Sequence, residues 1–313
     1  MTQTNPKISF VSPVYQAENM LNKLVNEIRS VMLKLNESFE IILVDDRSPD
    51  NSWEVMLELS KKNTEVRIVR LSRNFGQHPA IMAGLSQAKG EWVVVLDCDL
   101  QDQPKEVEKL FKKASEGFDI VLAQRLTRKD SFLKKLTSKI FSKTYTYLTD
   151  TNFDNSIANF GIYNSKVIIS ILNMNDYIKS FPLFINWVGF NSISIEVEHA
   201  DREEGKSSYS YSKLLSLAFN TIISFSNKPL KLFVKFGIII SIMSFIFGIY
   251  IIYKNLNGNI TVLGYSSLMV SIWFLSGVII TIVGVVGIYI GKLFDQSKNR
   301  APFIIDKIIE HDI

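Results

Sequence analysis

Short apolar runs alternate along the first third of the chain with stretches in which apolar residues recur every three or four positions. KISFVSPVY, FEIILVDD, VRIVRLS and EWVVVLDCD read as strands, and ENMLNKLVNEIRSVMLKL, SWEVMLELSKK and HPAIMAGLSQA between them read as helices. The strand segments are continuous β-branched runs rather than strict apolar–polar alternations. That pattern predicts parallel strands covered on both faces by crossover helices, a Rossmann-like, mostly parallel α/β sheet. Ligands in such sheets gather at the carboxyl ends of the strands. Polar residues collect there in this chain: Pro13 and Tyr15 after the first strand, Asp45 and Asp46 after the second, Arg73 after the third, Asp97 and Asp99 after the fourth. Ser48 or Asp50 is expected to cap the helix that follows the second strand.

A different pattern closes the chain. Leu232–Tyr253 and Ser266–Gly291 are apolar all round, and Leu232–Gly291 holds only Lys235 and Lys254 as charged residues. Each run is long enough, at about 1.5 Å per residue, to cross a hydrocarbon core of about 30 Å. The short connector between them predicts an antiparallel hairpin. Lys228, Lys231 and Lys235 lie at one flank and Lys292, Lys298 and Arg300 at the other, so the positive-inside bias puts both flanks in the cytoplasm. Residues 211–230 carry apolar side chains on one helical face and are read as an interfacial helix, with Pro229 separating it from the first span. The expected organisation is therefore a catalytic domain over 1–210, the interfacial segment over 211–230, a two-span hairpin over 231–292 and a cytoplasmic tail over 293–313.

Composition removes several function classes. Among 313 residues the single cysteine, Cys98, allows no intramolecular disulfide and fits a reducing compartment. The three histidines, His78, His199 and His311, are scattered and form no zinc pattern, and a net charge of +4 supports no nucleic-acid partner. The opening MTQTNPKISF has no apolar signal-peptide core, which leaves the first domain expected in the cytoplasm. No GxGxxG or Walker loop follows the first strand, which argues against a dinucleotide or P-loop site.

The candidate chemistry lies in VVVLDCDLQDQP, where an apolar run ends in Asp97, Asp99 and Asp102. In an extended segment Asp-x-Asp places two carboxylates on one side, where their repulsion is relieved by a cation. Oxygen donors of this kind suit Mg²⁺ or Mn²⁺.

SPVYQAEN, VDDRSPDNS, RNFGQHPAIMAGLSQAKGEWVVVLDCDLQDQP and REEGKSSYS, in that order, resemble the family-2 glycosyltransferases of GT-A fold that load sugars onto polyprenyl phosphate. The resemblance extends over nearly the whole chain, the apolar hairpin included. It implies that Pro13, Tyr15, Glu18, Val44 and Asp46, with Asp97, Cys98 and Asp99, bind a UDP-, GDP- or dTDP-linked sugar. It implies a metal site of Asp97, Asp99 and Gln101 for Mg²⁺ or Mn²⁺. Arg125, Arg202 and Lys206 would meet phosphates, Arg125 and Arg202 as catalytic residues together with Asp97 and Asp99. Arginine's planar fork suits such oxyanions better than lysine does. The lysine-rich segment Leu126–Leu148 is read as a membrane-facing loop with Lys139 near the acceptor phosphate. Two departures stand out. The lysine of the usual Gly-x-Ser-Lys is displaced to Lys206, and ANFGIY (Ala158–Tyr163) replaces the Asp-Phe-Arg-Leu common in glucosyl and mannosyl relatives. Glucose is therefore not assumed, and an amino or deoxy sugar stays open, as does self-association of the chain.

Two other readings compete. One is a transferase acting on a lipid-linked glycan or a processive polysaccharide synthase; processive relatives carry Gln-x-x-Arg-Trp, yet none of Trp53, Trp92, Trp187 and Trp273 follows an arginine. An inactive membrane scaffold on the same fold has no chemical need for Asp97, Asp99 and Gln101 together.

Overall fold

The computed structural model describes residues 5–125, 157–174, 180–198, 228–257 and 264–310. The described residues fall into two compact units, one containing residues 5–125, 157–174, 180–198 and 300–310, the other the two apolar helices.

The first unit is built on an eight-stranded sheet. Its elements are β1 (Ile8–Val14), α1 (Leu21–Leu35), β2 (Phe39–Asp45), α2 (Ser52–Lys62), β3 (Val66–Leu71), α3 (Gln77–Leu85) and β4 (Trp92–Val95). A 3-10 turn (Pro104–Glu106) leads into α4 (Val107–Ser115), β5 (Ile120–Arg125), β6 (Ile157–Asn164), α5 (Ser165–Leu172), α6 (Phe181–Trp187) and β7 (Ser192–Val197). The strand order is β7-β5-β6-β4-β1-β2-β3-β8, where β8 is Ile305–Ile309. Strands β3, β2, β1 and β4 are mutually parallel, as their β-branched runs predict. Two strands run against them: β6, between β4 and β5, and β8, beside β3. The sheet is therefore mixed, mostly parallel, with helices on both faces.

Alternation along the strands sorts the core. Ile8, Phe10 and Val14 of β1 and Ile41 and Leu43 of β2 pack with Leu24 and Ile28 of α1, Met56 of α2 and Leu110 of α4. On the other face α3 approaches β1 and β2 closely through Gly84. A Cβ there would sit 2.4 Å from Val11 Cγ1 and 3.0 Å from Val44 Cγ2, so only glycine lets the helix lie this near the sheet. Helices α5 and α6 pack beside α3 on that face.

The segment read from sequence as a tail after the second apolar run behaves differently. Its first residues, to Ser297, extend the helix, and Ile305–Ile309 supply β8, an antiparallel edge strand of the same sheet. Periodicity gives no warning of this strand, because IDKII is short and its pairing partner lies at the other end of the chain.

The second unit consists of α7 (Lys228–Leu256) and α8 (Tyr265–Ser297). Both exceed the expected spans at each end. Windows Leu230–Phe247 and Phe274–Ser297 have mean hydropathies of 2.1 and 2.3 and are long and apolar enough to cross a membrane. Side chains such as Phe245, Ile246, Ile280 and Val283 point outward, the arrangement expected of helices that meet lipid rather than a protein core. Pro229, expected to separate the first span from an interfacial helix, stands at the start of the described part of α7. Residues 211–227, read as an interfacial helix, lie outside the described residues.

Candidate active site

Parallel register brings the carboxyl ends of β2, β1 and β4 together, since Val14 pairs with Asp45 and Val11 with Val95. Three residues with side chains adopt left-handed backbone there: Gln16 (φ 53°) after β1, Arg47 (φ 56°) after β2 and Leu100 (φ 57°) after β4. Each such conformation is strained for a non-glycine residue and persists only where the surroundings impose it. One at the end of each of three adjacent strands marks this edge as the built one.

The β2 acids are buried and engaged. Asp45 is fully buried; its Oδ1 accepts from Ser48 N at 2.8 Å, and its Oδ2 lies 3.1 Å from Arg70 Nε. Arg70 in turn lies over the Trp53 ring at 4.8 Å. Asp46 accepts from Phe75 N (2.7 Å) and Gly76 N (2.8 Å), so both its oxygens hold the loop between β3 and α3. Burial pushes both carboxyls above the usual carboxylate range, against the pull of these hydrogen bonds and of the nearby arginines.

The loops after β1 and β2 are knit together. Gln16 N donates to Ser48 Oγ (2.7 Å), Ala17 N to Ser52 Oγ (3.1 Å) and Glu18 N to Asp50 Oδ2 (3.2 Å), while Asn51 N donates to Glu18 Oε2 (2.9 Å). Neither Ser48 nor Asp50 caps α2. Asn51 occupies the cap position, and Asp50 accepts from Ser48 Oγ and Ser52 N instead. Burial raises the Asp50 carboxyl, but bonds from Ser48, Ser52 and Glu18 outweigh it and hold the group below its usual range.

The β4 acids differ. Strand β4 ends at Val95, so Asp97 lies just beyond the strand and Asp99 in the turn that follows, and the left-handed Leu100 turns the chain between Asp99 and Gln101. Asp97, Asp99 and Gln101 are all partly exposed. Gln77 Nε2 donates to Asp97 Oδ1 at 2.7 Å, and Gln101 N to Asp99 Oδ1 at 3.2 Å. Among the described residues no cluster of three or more His, Cys, Asp or Glu side chains is placed to hold a metal. The set that fits one in type is two carboxylates and the Gln101 amide, hard oxygen donors that suit Mg²⁺ or Mn²⁺ when a ligand's oxygens complete the shell. Asp102 is separated from them by burial, at 3% exposure, in the neighbourhood of Tyr163.

The other expected donor residues occupy the same edge with unequal access. Pro13 and Val44 are register partners in β1 and β2 and both are buried, so Val44, packed toward Gly84, has only its backbone to offer a ligand. Tyr15 is 46% exposed and is the aromatic residue open to a planar base. Its N–H donates to the Cys98 thiol, which burial pushes up to about 12; Cys98 is a packing residue, not a thiolate nucleophile.

The phosphate candidates are located in part. Arg125 is the last residue of β5, beside Val197 of β7. Lys139, Arg202 and Lys206 lie outside the described residues. Glu198, which precedes that basic segment, is held by Lys105 Nζ at 2.6 Å, in the turn that follows the Asp97–Gln101 loop.

ANFGIY forms most of β6. Gly161 lies between Val95 of β4 and Leu122 of β5, and a Cβ there would sit 2.7 Å from Tyr163 Oη and 2.9 Å from the Val121 carbonyl oxygen. Tyr163 is buried, donates to Asn159 O at 3.3 Å and stacks edge-on against Phe181. No arginine fits at Gly161 beside this tyrosine.

Two residues of this edge escape sequence reading. Gln77 carries no motif signal beyond its place at a helix start, and His78 beside it is a lone histidine. Burial lowers the His78 pKa to about 4, leaving a neutral ring. A cavity of about 620 Å³ lies away from these residues, at the amino-terminal edge of the sheet, lined by Lys7, Ser38, Leu85, Lys89 and Ile168.

This arrangement is that of a sugar-transferring α/β enzyme, and comparison with known proteins agrees. The family model for glycosyl transferase family 2 matches residues 9–172. An uncharacterized glycosyltransferase of Bacillus subtilis, YkcC, is 34% identical over 300 residues, covering 96% of this chain and 93% of its own. The undecaprenyl-phosphate 4-deoxy-4-formamido-L-arabinose transferase of Proteus mirabilis is 33% identical over 306 residues, covering 97% and 94%. Mannosyl-3-phosphoglycerate synthase from Rubrobacter xylanophilus shares the fold, with a TM-score of 0.52 at 15% identity over 70% of this chain and 72% of that one. The chain belongs to glycosyltransferase family 2.

Proposed function

We propose that this enzyme transfers a single sugar from a nucleotide sugar to polyprenyl phosphate, undecaprenyl phosphate in a bacterium, at the cytoplasmic face of the inner membrane, with inversion at the anomeric carbon. The observation that carries the reading is the conjunction of one acid-rich strand edge with two lipid-facing helices in the same chain. The P. mirabilis relative, named for transfer to undecaprenyl phosphate, aligns across both parts.

The acceptor phosphate is largely dianionic near neutral pH, its second pKa lying at about 6, so it needs positioning more than a general base. One of its oxygens attacks the anomeric carbon. The bond from that carbon to the donor diphosphate breaks, and the nucleoside diphosphate leaves with the electron pair. Asp97, Asp99 and Gln101 would hold Mg²⁺ or Mn²⁺, whose charge neutralises the departing diphosphate. Gln77 orients Asp97 through their hydrogen bond. Tyr15 is exposed for the base, and Asp46 and Glu18 act on the donor by bracing the surrounding loops. Arg125, Arg202 and Lys206, with Lys139, grip the phosphates. The glycine at position 161 and the relative's substrate name both favour an amino or deoxy sugar over glucose.

Strand pairing supports the topology. β3 and β8, which lie on either side of the two apolar helices in sequence, pair in one sheet, in keeping with a two-span hairpin whose flanks share one face. Seven residues, 298–304, join α8 to a strand that enters the sheet at its active edge.

The test is direct. Purified protein with Mn²⁺ or Mg²⁺, undecaprenyl phosphate and a panel of nucleotide sugars should yield a lipid-phosphate sugar by mass analysis with at least one amino- or deoxy-sugar donor. No glycosylated lipid from any donor would refute the proposal.

A further inference from the structure

The strand that follows the two apolar helices is tied to the catalytic sheet at three places. Ser72 N, in the loop after β3, donates to Ile304 O at 2.9 Å. Asp306 Oδ2 accepts from Arg47 Nη1 at 3.2 Å. Beyond the strand's far end, Glu310 meets Arg67 Nε (2.8 Å) and Lys89 Nζ (3.4 Å), and Arg67 is itself paired with Glu40 at 3.3 Å inside the sheet. The buried Arg67–Glu40 pair serves register. The Asp306–Arg47 pair is the one that reaches the active edge.

Arg47 lies between Asp46 and Ser48 and holds the left-handed conformation described above. The Ser48 N–H bond to Asp45 constrains its backbone, and Asp306 constrains its side chain from outside the loop. Antiparallel pairing of Leu71 with Ile305 places Asp306 at the carboxyl end of β3, next to the loops after β2 and β3. Ser72 and Arg47, one from each loop, are therefore both held by the residues 304–306.

We infer that Asp306 is a positioning residue for the nucleotide-sugar donor. By holding Arg47 it fixes the Asp45–Ser52 loop, so the donor side of the site is complete only when the strand following the second apolar helix has docked. The inference rests on the donor-site reading proposed above.

The experiment uses full-length protein in detergent with Mn²⁺, titrated calorimetrically with UDP, GDP and dTDP, with donor and acceptor KM measured in parallel. Both side chains of the pair are nearly half exposed, so Asp306→Asn should weaken diphosphate binding about two- to fivefold, the scale of an exposed ion pair. Asp306→Arg, which sets two cations against each other, should weaken it about tenfold. The exchange Asp306→Arg with Arg47→Asp should recover most of that loss, and Arg47→Gln combined with Asp306→Asn should bind no more weakly than either alone. Acceptor KM should stay unchanged throughout, which a general loss of structure would not allow. Normal diphosphate affinity in Asp306→Arg, or no recovery on charge exchange, overturns the inference. Failure of the unmodified protein to bind any of the three diphosphates overturns the donor reading itself.

Discussion

Two strands of the same sheet end in paired acids, and the pairs differ in burial and in partners. After β2, Asp45 and Asp46 are buried and engaged by local partners: Ser48 N–H and the Arg70 guanidinium for one, the Phe75 and Gly76 N–H groups for the other. After β4, Asp97 and Asp99 remain partly exposed on a turn strained at Leu100. The residue type is identical; access differs. A buried carboxylate that satisfies backbone donors is a structural tie, whereas a partly exposed carboxylate stays within reach of a ligand; on the function proposed above, that ligand is a cation.

The comparison can be broken by substitution. Asp99→Ala should reduce sugar transfer by about a thousandfold or more, since charge neutralisation at the leaving diphosphate is lost, while the melting temperature stays near that of the unmodified protein. A normal rate of lipid glycosylation would remove the β4 acids from the mechanism. Asp46→Ala should do the reverse in emphasis. It strands two partly buried N–H donors and should cost about 1–3 kcal/mol of stability, read as a lowered midpoint in denaturation. An unchanged midpoint would show that Asp46 is not the tie described here.

His78 sits between the two acid pairs in sequence and structure, next to Gly76 and Gln77, which touch one pair each. Its folded pKa of about 4 lies below the ordinary 6.5, because burial disfavours the charged ring. As the pH falls, the unfolded chain therefore takes up a proton near 6.5, while the folded chain does so only near 4. Stability from this residue is intact above pH 6.5 and falls through that window, by up to about 3 kcal/mol. Melting curves at pH 7.5 and 5.0 should show the drop, and His78→Gln should flatten it; equal pH dependence in both proteins would contradict the assignment. The smallest effect is expected at Gln77. Gln77→Ala removes the hydrogen bond to Asp97 and should raise the Mn²⁺ concentration needed for nucleotide binding about tenfold without altering stability at neutral pH.

Much of this was legible before any coordinates. The β-branched runs specify β1 to β4 because parallel strands buried on both faces have no solvent side to encode, and Asp97, Asp99 and Gln101 follow a strand end, as the sequence places them. The apolar helices are legible because membrane length is a composition property. What stayed hidden depends on long-range pairing. Nothing in IDKII announces that Ile305 will meet Leu71. Nothing near Glu18 shows that its carboxylate will be taken by Asn51 N. The loss of the family arginine at Gly161 was visible, but its cause, the Tyr163 hydroxyl and Val121 carbonyl crowding that position, needs the register of three strands.

Strand β8 also has a consequence for how the molecule is made. It is the last element described, and its partner β3 is among the first to leave the ribosome. At ordinary elongation rates of about 5–20 residues per second, roughly 10–50 s separate the two. Throughout that interval the β3 edge carries unpaired backbone groups, the kind of edge that recruits foreign strands. The catalytic sheet therefore acquires its final border only after both apolar helices have been synthesised, and a chain stalled before that point advertises its incompleteness at β3.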